Sequence, residues 1–162
     1  MESTLRKIQL VQPSLRHVEL LLTWENNPKN WKFGNTRGVY THEEMLGFVQ
    51  SKHDLENAGQ QRWMIENEEG LPIGTIDLFD FSKQKMRGSV GILIAEEDER
   101  GKGYAKSALL SLIEICKKLE FKELRSTVFY NNKASLALFK STGFNNSNLD
   151  MAGDYKEMRY TF

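Results

Sequence analysis

An apolar run, Val90-Gly91-Ile92-Leu93-Ile94-Ala95, is followed after four acidic residues by Arg100-Gly101-Lys102-Gly103-Tyr104-Ala105. Ala105, Ala108, Leu109, Leu112, Ile113, Cys116 and Leu119 then recur at helical spacing. The order is therefore strand, glycine-rich turn, helix N-terminus. The first turn of a helix carries N–H groups without intrahelical acceptors, and the helix dipole adds partial positive charge there. Glycines let a phosphate approach the backbone closely. Arg100 and Lys102 add two cations, and Glu96-Glu97-Asp98-Glu99 reads as the solvated outer side of the turn. The segment is a candidate pyrophosphate cradle. It is neither a P-loop, which requires Lys-Ser or Lys-Thr after a longer gap between its glycines, nor a dinucleotide fingerprint, whose third glycine would fall at Lys106.

A second segment, Asn132-Lys133-Ala134-Ser135-Leu136-Ala137-Leu138-Phe139-Lys140-Ser141-Thr142-Gly143-Phe144, reads locally as a helix with Asn132 as N-cap and Gly143 as stop. A strand-like stretch, Leu124 to Tyr130, separates it from the first segment. Together the two motifs resemble those of the GNAT superfamily of acetyl-CoA-dependent N-acetyltransferases: Arg-x-x-Gly-x-Ala at 100–105, and Asn-x-x-Ser-x-x-x-Phe-x-x-x-Gly-Phe at 132–144. Within it the chain looks closest to the ribosomal-protein N-terminal and spermidine acetyltransferases, through Trp24-Glu25-Asn26-Asn27, Arg62-Trp63-Met64-Ile65, Gly74-Thr75-Ile76-Asp77, and Asn132 with Ser135.

Reading from the N-terminus, Leu5 to Val11 is strand-like. Pro13 suits a first helical turn, and Leu15, Val18, Leu21 and Leu22 form an apolar stripe that ends at Trp24–Pro28. Lys29 to Tyr40 reads as irregular, with Gly34 and Gly38 as breakers. Thr41-x-x-Glu44 is a capping box ahead of Met45, Phe48 and Val49. Strands are expected at Gln60–Glu66, Leu71–Phe81 and Met86–Ala95, with turns at Asn67–Gly70 and Ser82–Lys85. After the 105–119 helix come strand, helix, a strand reaching Leu149, and a last strand in Asp154–Phe162. The order β-α-α-β-β-β-α-β-α-β-β places hairpins before a βαβ unit, which is α+β mixed-sheet logic. The resemblance implies one GNAT domain over residues 1–162. Its fold would be a mostly antiparallel sheet of about six to seven strands flanked by helices. It further implies that Val90–Ala95 splays from Leu124–Tyr130 and that acetyl-CoA lies in the gap.

By the same resemblance, backbone groups of Leu93, Ile94 and Ala95 pair with the pantetheine arm, Arg100, Gly101, Lys102, Gly103, Tyr104 and Ala105 cradle the pyrophosphate, and Asn132 contacts the arm. Many relatives carry a tyrosine acid where this chain has Phe139, and a glutamate base near Ser89. Ser135, one turn before Phe139, and Tyr130 are the substitute proton donors; Ser135 as simple decoration of the helix start is an equal reading. Asp77 is the candidate base, with Glu25 and Asp80 for a cationic acceptor. Cys116 lies on an apolar helix face and reads as packing, and transfer needs no acyl-cysteine. His17, His42 and His53 lack metal-ligand spacing and read as surface or cap residues. No metal is expected.

Lys+Arg and Asp+Glu each number 22 in 162 residues, so bulk positive charge for nucleic acid is absent. No apolar run reaches the ~18 residues of a membrane span, and the start lacks a signal-peptide core. A lone cysteine allows no internal disulfide. The expectation is a cytoplasmic monomer or homodimer without nucleic-acid or membrane partners. Its acceptor would be a polyamine, a small amine or a peptide N-terminus. A catalytically silent acyl-CoA-binding module is the alternative.

Overall fold

The structure, a computed structural model, describes residues 5–33, 39–51, 54–147 and 153–162. Gly34, Gly38, His53 and Leu149 lie outside the described residues. Among the described residues seven strands form one sheet: β1 Gln9–Val11, β2 Gln61–Glu66, β3 Pro72–Ser82, β4 Arg87–Ile94, β5 Glu123–Phe129, β6 Asn145–Asn146 and β7 Tyr155–Thr161, in spatial order β1-β2-β3-β4-β5-β7-β6. Among the described residues five α-helices accompany it: α1 Val18–Glu25, α2 His42–Gln50, α3 Leu55–Ala58, α4 Tyr104–Lys118 and α5 Lys133–Ser141. Only β4 and β5 are parallel, because α4 carries the chain back over the sheet between them; every other pair is antiparallel.

Local chemistry sets these elements. The β2–β3 hairpin turns on Asn67, whose Oδ1 accepts from the N–H groups of Glu69 and Leu71, both at 3.0 Å. The capping box of α2 is formed: Thr41 Oγ1 accepts from Glu44 N, and Glu44 Oε1 from Thr41 N, each at 3.1 Å. β1 is shorter than the expected Leu5–Val11. The N–H of Arg6 turns away to Ser107 Oγ at 2.9 Å on α4, so residues 5–8 leave the sheet. α3 was not apparent in the sequence; its N-cap is Asp54, which accepts from Asn57 N at 2.7 Å. A 3-10 helix at Pro28–Phe33 replaces the start of the expected irregular stretch.

Strand alternation divides the interior in two. Ile76, Leu78, Val90, Leu124, Val128 and Met158 face α4 and α5 and form the larger core with Leu109, Leu112, Cys116, Phe139 and Phe144. Met64, with Val11 and Leu93 against it, faces the opposite way and packs with Val18, Leu21, Trp24 and Met45 of α1 and α2. Residues of β5 and β7 on this second side, among them Thr127, Phe129 and Tyr155, are exposed. The second face is therefore covered over β2–β4 and open over β5–β7.

His17 departs from the surface role expected of it. It is 1% exposed, at the junction of the Leu15–His17 3-10 helix and α1. Its Nδ1 accepts from Ser14 N at 2.9 Å, so it does serve as a cap. Its Nε2 has no hydrogen-bond partner and lies 3.9 Å from Glu66 Oε2. Burial, reinforced by Arg16 and opposed by Glu66, lowers its pKa below the ordinary value. The unfolded chain thus binds the proton first. The contribution to stability is complete above about pH 6.5 and is lost as pH falls from there through the folded pKa. Replacing His17 with glutamine should flatten the stability–pH curve below about pH 6.5, as read by urea denaturation at successive pH values.

Candidate active site

β4 and β5 are joined by three residue pairs, Arg87 with Glu123, Gly88 with Leu124 and Ser89 with Arg125, and then separate. β4 continues to Ile94 and β5 to Phe129 without further pairing between them. At the apex, Ser126 Oγ donates to the Val90 carbonyl at 3.0 Å, filling the first acceptor left open by the splay. Ala95 N donates to Ile73 O at 2.9 Å, so the backbone groups of Ala95 and, two residues back, Leu93 turn toward β3. By the same alternation Ile92 and Ile94 turn theirs toward the gap. Of Leu93, Ile94 and Ala95, only Ile94 therefore has the orientation expected, and Ile92 is its unforeseen companion. A one-residue shift of register reverses which groups face the gap, and composition does not reveal that parity.

Downstream of β4, Gly101 and Gly103 adopt φ of +74° and +92°, a region that favours glycine, and Gly103 is the N-cap of α4. Among the described residues, no protein acceptor meets the backbone N–H groups from Gly101 to Lys106. This row of donors stands at the positive end of a 15-residue helix, beside the gap's open end. Lys102 lies in the loop, 3.6 Å from Glu99. Arg100 and Tyr104 contribute differently from expectation. The Arg100 guanidinium folds back, with Nε donating to Ile94 O at 2.7 Å and Nη2 to Asn30 Oδ1 at 3.2 Å. Tyr104 is 4% exposed; its hydroxyl donates to Glu68 at 2.9 Å, and Arg6 lies over its ring. Both side chains brace the loop, and the backbone presents the donors. Glu96 is tied as well, accepting from the Trp24 indole N–H at 3.0 Å, whereas the acidic run was expected to be simply solvated.

Across the gap stands the first turn of α5. Asn132 caps it, Oδ1 accepting from Ser135 N at 3.2 Å. The Ser135 hydroxyl is half-buried and has no protein partner among the described residues. Phe139 is 4% exposed and packs edge-on against Phe144 at 5.0 Å, so the usual acid position is here a piece of the core. Tyr130 is exposed at the end of β5, with Lys156 Nζ 4.6 Å from its ring centroid. Cys116 is fully buried, and burial pushes its thiol up to about 12, which removes it as a nucleophile at neutral pH.

On the α1–α2 face, Asp77 does not stand ready as a base. Its two oxygens accept from Arg62 Nε and Nη2 at 2.7 and 2.9 Å. Arg62 Nη1 donates to Glu25 at 2.9 Å, and its guanidinium lies 5.5 Å from the Phe48 ring centroid. Burial works to discharge Arg62, but the two carboxylates outweigh it and raise its pKa. Glu25 is therefore part of this cluster as well as of the site wall. Asp80 sits apart from it, exposed on a β3 bulge at φ +49°, level with the closed end of the gap. Arg62 reads in the sequence only as a family cue; an arginine directly before the apolar run Trp63-Met64-Ile65 was the signal for the cluster. Among the described residues, no group of His, Cys, Asp and Glu is placed to hold a metal ion, and no helix is long and apolar enough to cross a membrane.

A strand splay leads here into a glycine-ended row of helix N-terminal donors. The chain belongs to the acetyltransferase (GNAT) domain family, whose model matches residues 7–145. It is 25% identical over 142 residues to an uncharacterized protein of Methanocaldococcus jannaschii, covering 85% of this chain but spanning only 28% of that relative. The fold is shared with spermidine N-acetyltransferase from Vibrio cholerae, solved with CoA and spermine, at TM-score 0.81 and 19% identity over 95% of each chain. It is also shared with the microcin C7 self-immunity acetyltransferase, solved with acetyl-CoA and AMP, at TM-score 0.79 and 18% identity over 96% of this chain and 93% of that one.

Proposed function

We propose that the chain moves an acetyl group from acetyl-CoA to a primary amine by direct attack in a ternary complex. The observation that carries this reading is the continuity of the unpaired β4 edge with the unfilled N–H row of Gly101–Lys106. The pantetheine amides would pair with the backbone of Ile92 and the N–H of Ile94, whose carbonyl is held by Arg100, and the pyrophosphate would meet the loop donors.

Direct transfer requires a neutral amine, a donor for the oxyanion and a route for the thiolate. An N–H on the gap side of β4 supplies the donor; one such group is typically worth roughly 2.7–4 kcal/mol. With both Asp77 oxygens engaged, the amine proton passes to solvent. Ser135 is the proton donor toward the thiolate in this reading, having an unengaged, half-buried hydroxyl on the first turn of α5.

Release of free thiol from acetyl-CoA in the presence of a panel of amines tests the activity. Binding of acetyl-CoA without release for any amine would make the chain an acyl-CoA-binding module instead. Gly103→Val places a β-branched residue at φ +92° over the donor row. It should weaken acetyl-CoA at least tenfold, about 1.4 kcal/mol, by calorimetry. Ser135→Ala should lower kcat at least about tenfold with unchanged acetyl-CoA affinity, since the loss is confined to the transition state. Normal turnover in that variant would return the proton transfer to water or Tyr130.

A further inference from the structure

Arg125 and Arg159 are directly opposed on β5 and β7, on the open face of the sheet. Like charges in that relation repel. Here two glutamates hold them. Arg159 Nε donates to Glu157 at 2.7 Å and lies 3.5 Å from Glu123. Arg125 Nε donates to Glu123 and lies 3.6 Å from Glu157. Nε is the nearest nitrogen in all four contacts. Among the described residues the terminal nitrogens of neither guanidinium donate a hydrogen bond. The glutamates thus fix the two planes and leave their outer N–H pairs presented, with side chains 26% and 32% exposed.

The pair stands at the acceptor side of the splay. Ser89 opposes Arg125 on the last rung before β4 and β5 part. Two residues on, Gly91 shares this face with Asp77 and leaves the floor low: a Cβ there would touch only the Phe79 ring, at 3.6 Å. Beyond Gly91 lie Asp77 and Glu25, both held by Arg62. The trough thus runs from carboxylates on the α1 side to guanidinium N–H pairs on the β5–β7 side.

Resting on the acetyl-transfer reading, we propose that Arg125 and Arg159 receive an anionic oxygen group, carboxylate or phosphate, that the acceptor carries near its amine. Planar guanidinium pairs match such groups bidentately. The acceptor is then a zwitterionic or anionic amine, and a polyamine, which has only donors, is disfavoured because the outer guanidinium N–H pairs offer it no acceptor.

Matched acceptors test this: amino acids against their amides, phosphoethanolamine against ethanolamine, and spermidine, each by thiol release. The anionic member of a pair is expected to have a kcat/KM at least about tenfold higher. Arg159→Gln and Arg125→Gln should raise KM for that member alone, with acetyl-CoA affinity unchanged. The preferred pair tells carboxylate from phosphate. Equal use of acid and amide, or preference for spermidine, overturns the proposal while leaving acetyl transfer intact. A second measurement does not require turnover: titration of isotope-labelled wild-type protein with acetate and with inorganic phosphate, followed through arginine side-chain resonances. Shifts confined to Arg125 and Arg159 support the site; their absence at millimolar anion overturns it. Failure of acetyl-CoA itself to bind instead defeats the underlying acetyl-transfer reading.

Discussion

Arg62→Met should cost about 3 kcal/mol of folding stability, because it leaves two carboxylates facing each other without their common cation. Asp77 and Glu25 have side chains only 27% and 11% exposed, and Arg62 donates three short hydrogen bonds to them. The large cost comes from stranding the partners, and it is expected to fall when they are neutralised as well. A triple variant, Arg62→Met with Asp77→Asn and Glu25→Gln, should recover at least half of the loss in urea denaturation. Strict additivity of the separate changes would show that the three groups act independently.

Gly74→Ala should destabilise by more than about 3 kcal/mol, in the range reserved for forced backbone movement or a severe core clash. The added Cβ would sit against the Leu93 carbonyl oxygen, closer than real Cβ atoms lie to backbone, and 3.0 Å from Ile94 Cα. Neither neighbour is a flexible side chain, so the β3–β4 ladder must yield. That displacement also moves Ile92 and Ile94, and acetyl-CoA affinity should fall with stability. Gly47→Ala is the control. Gly47 lies inside α2 with nothing within 4 Å of its would-be Cβ. It should stabilise by roughly 0.5–1 kcal/mol, because alanine loses less backbone freedom in a helix. A similar small effect at both sites would disprove the close strand approach at Gly74.

What could be read in advance depended on whether the signal was local. The α2 capping box, the apolar stripe of α4, and the glycines of the 100–105 loop each act within a few residues, and the structure contains them at those positions. The partners of Arg62 lie 15 and 37 residues away and are brought to it by the β2–β3 register and the packing of α1. No single segment displays that meeting. The gap-facing identity of Ile92 rather than Leu93 turns on parity of the ladder, to which apolar composition is blind. His17 shows a different limit. A histidine flanked by Arg16 reads as solvated, yet the junction of two helical pieces turns its ring inward and the arginine outward to Glu66, 2.7 Å away.

The three rungs between β4 and β5 give the sheet the mechanics of a hinged pair of leaves. One leaf is β1–β4, the other β5–β7, whose central pair alone runs seven residue pairs. Among the described residues no other strand pair crosses between the leaves, so Arg87–Ser89 and their partners are the hinge line, and the core under α4 is the strap that spans both leaves. The Ser126–Val90 hydrogen bond stands at the end of that hinge line, where the two leaves begin to part.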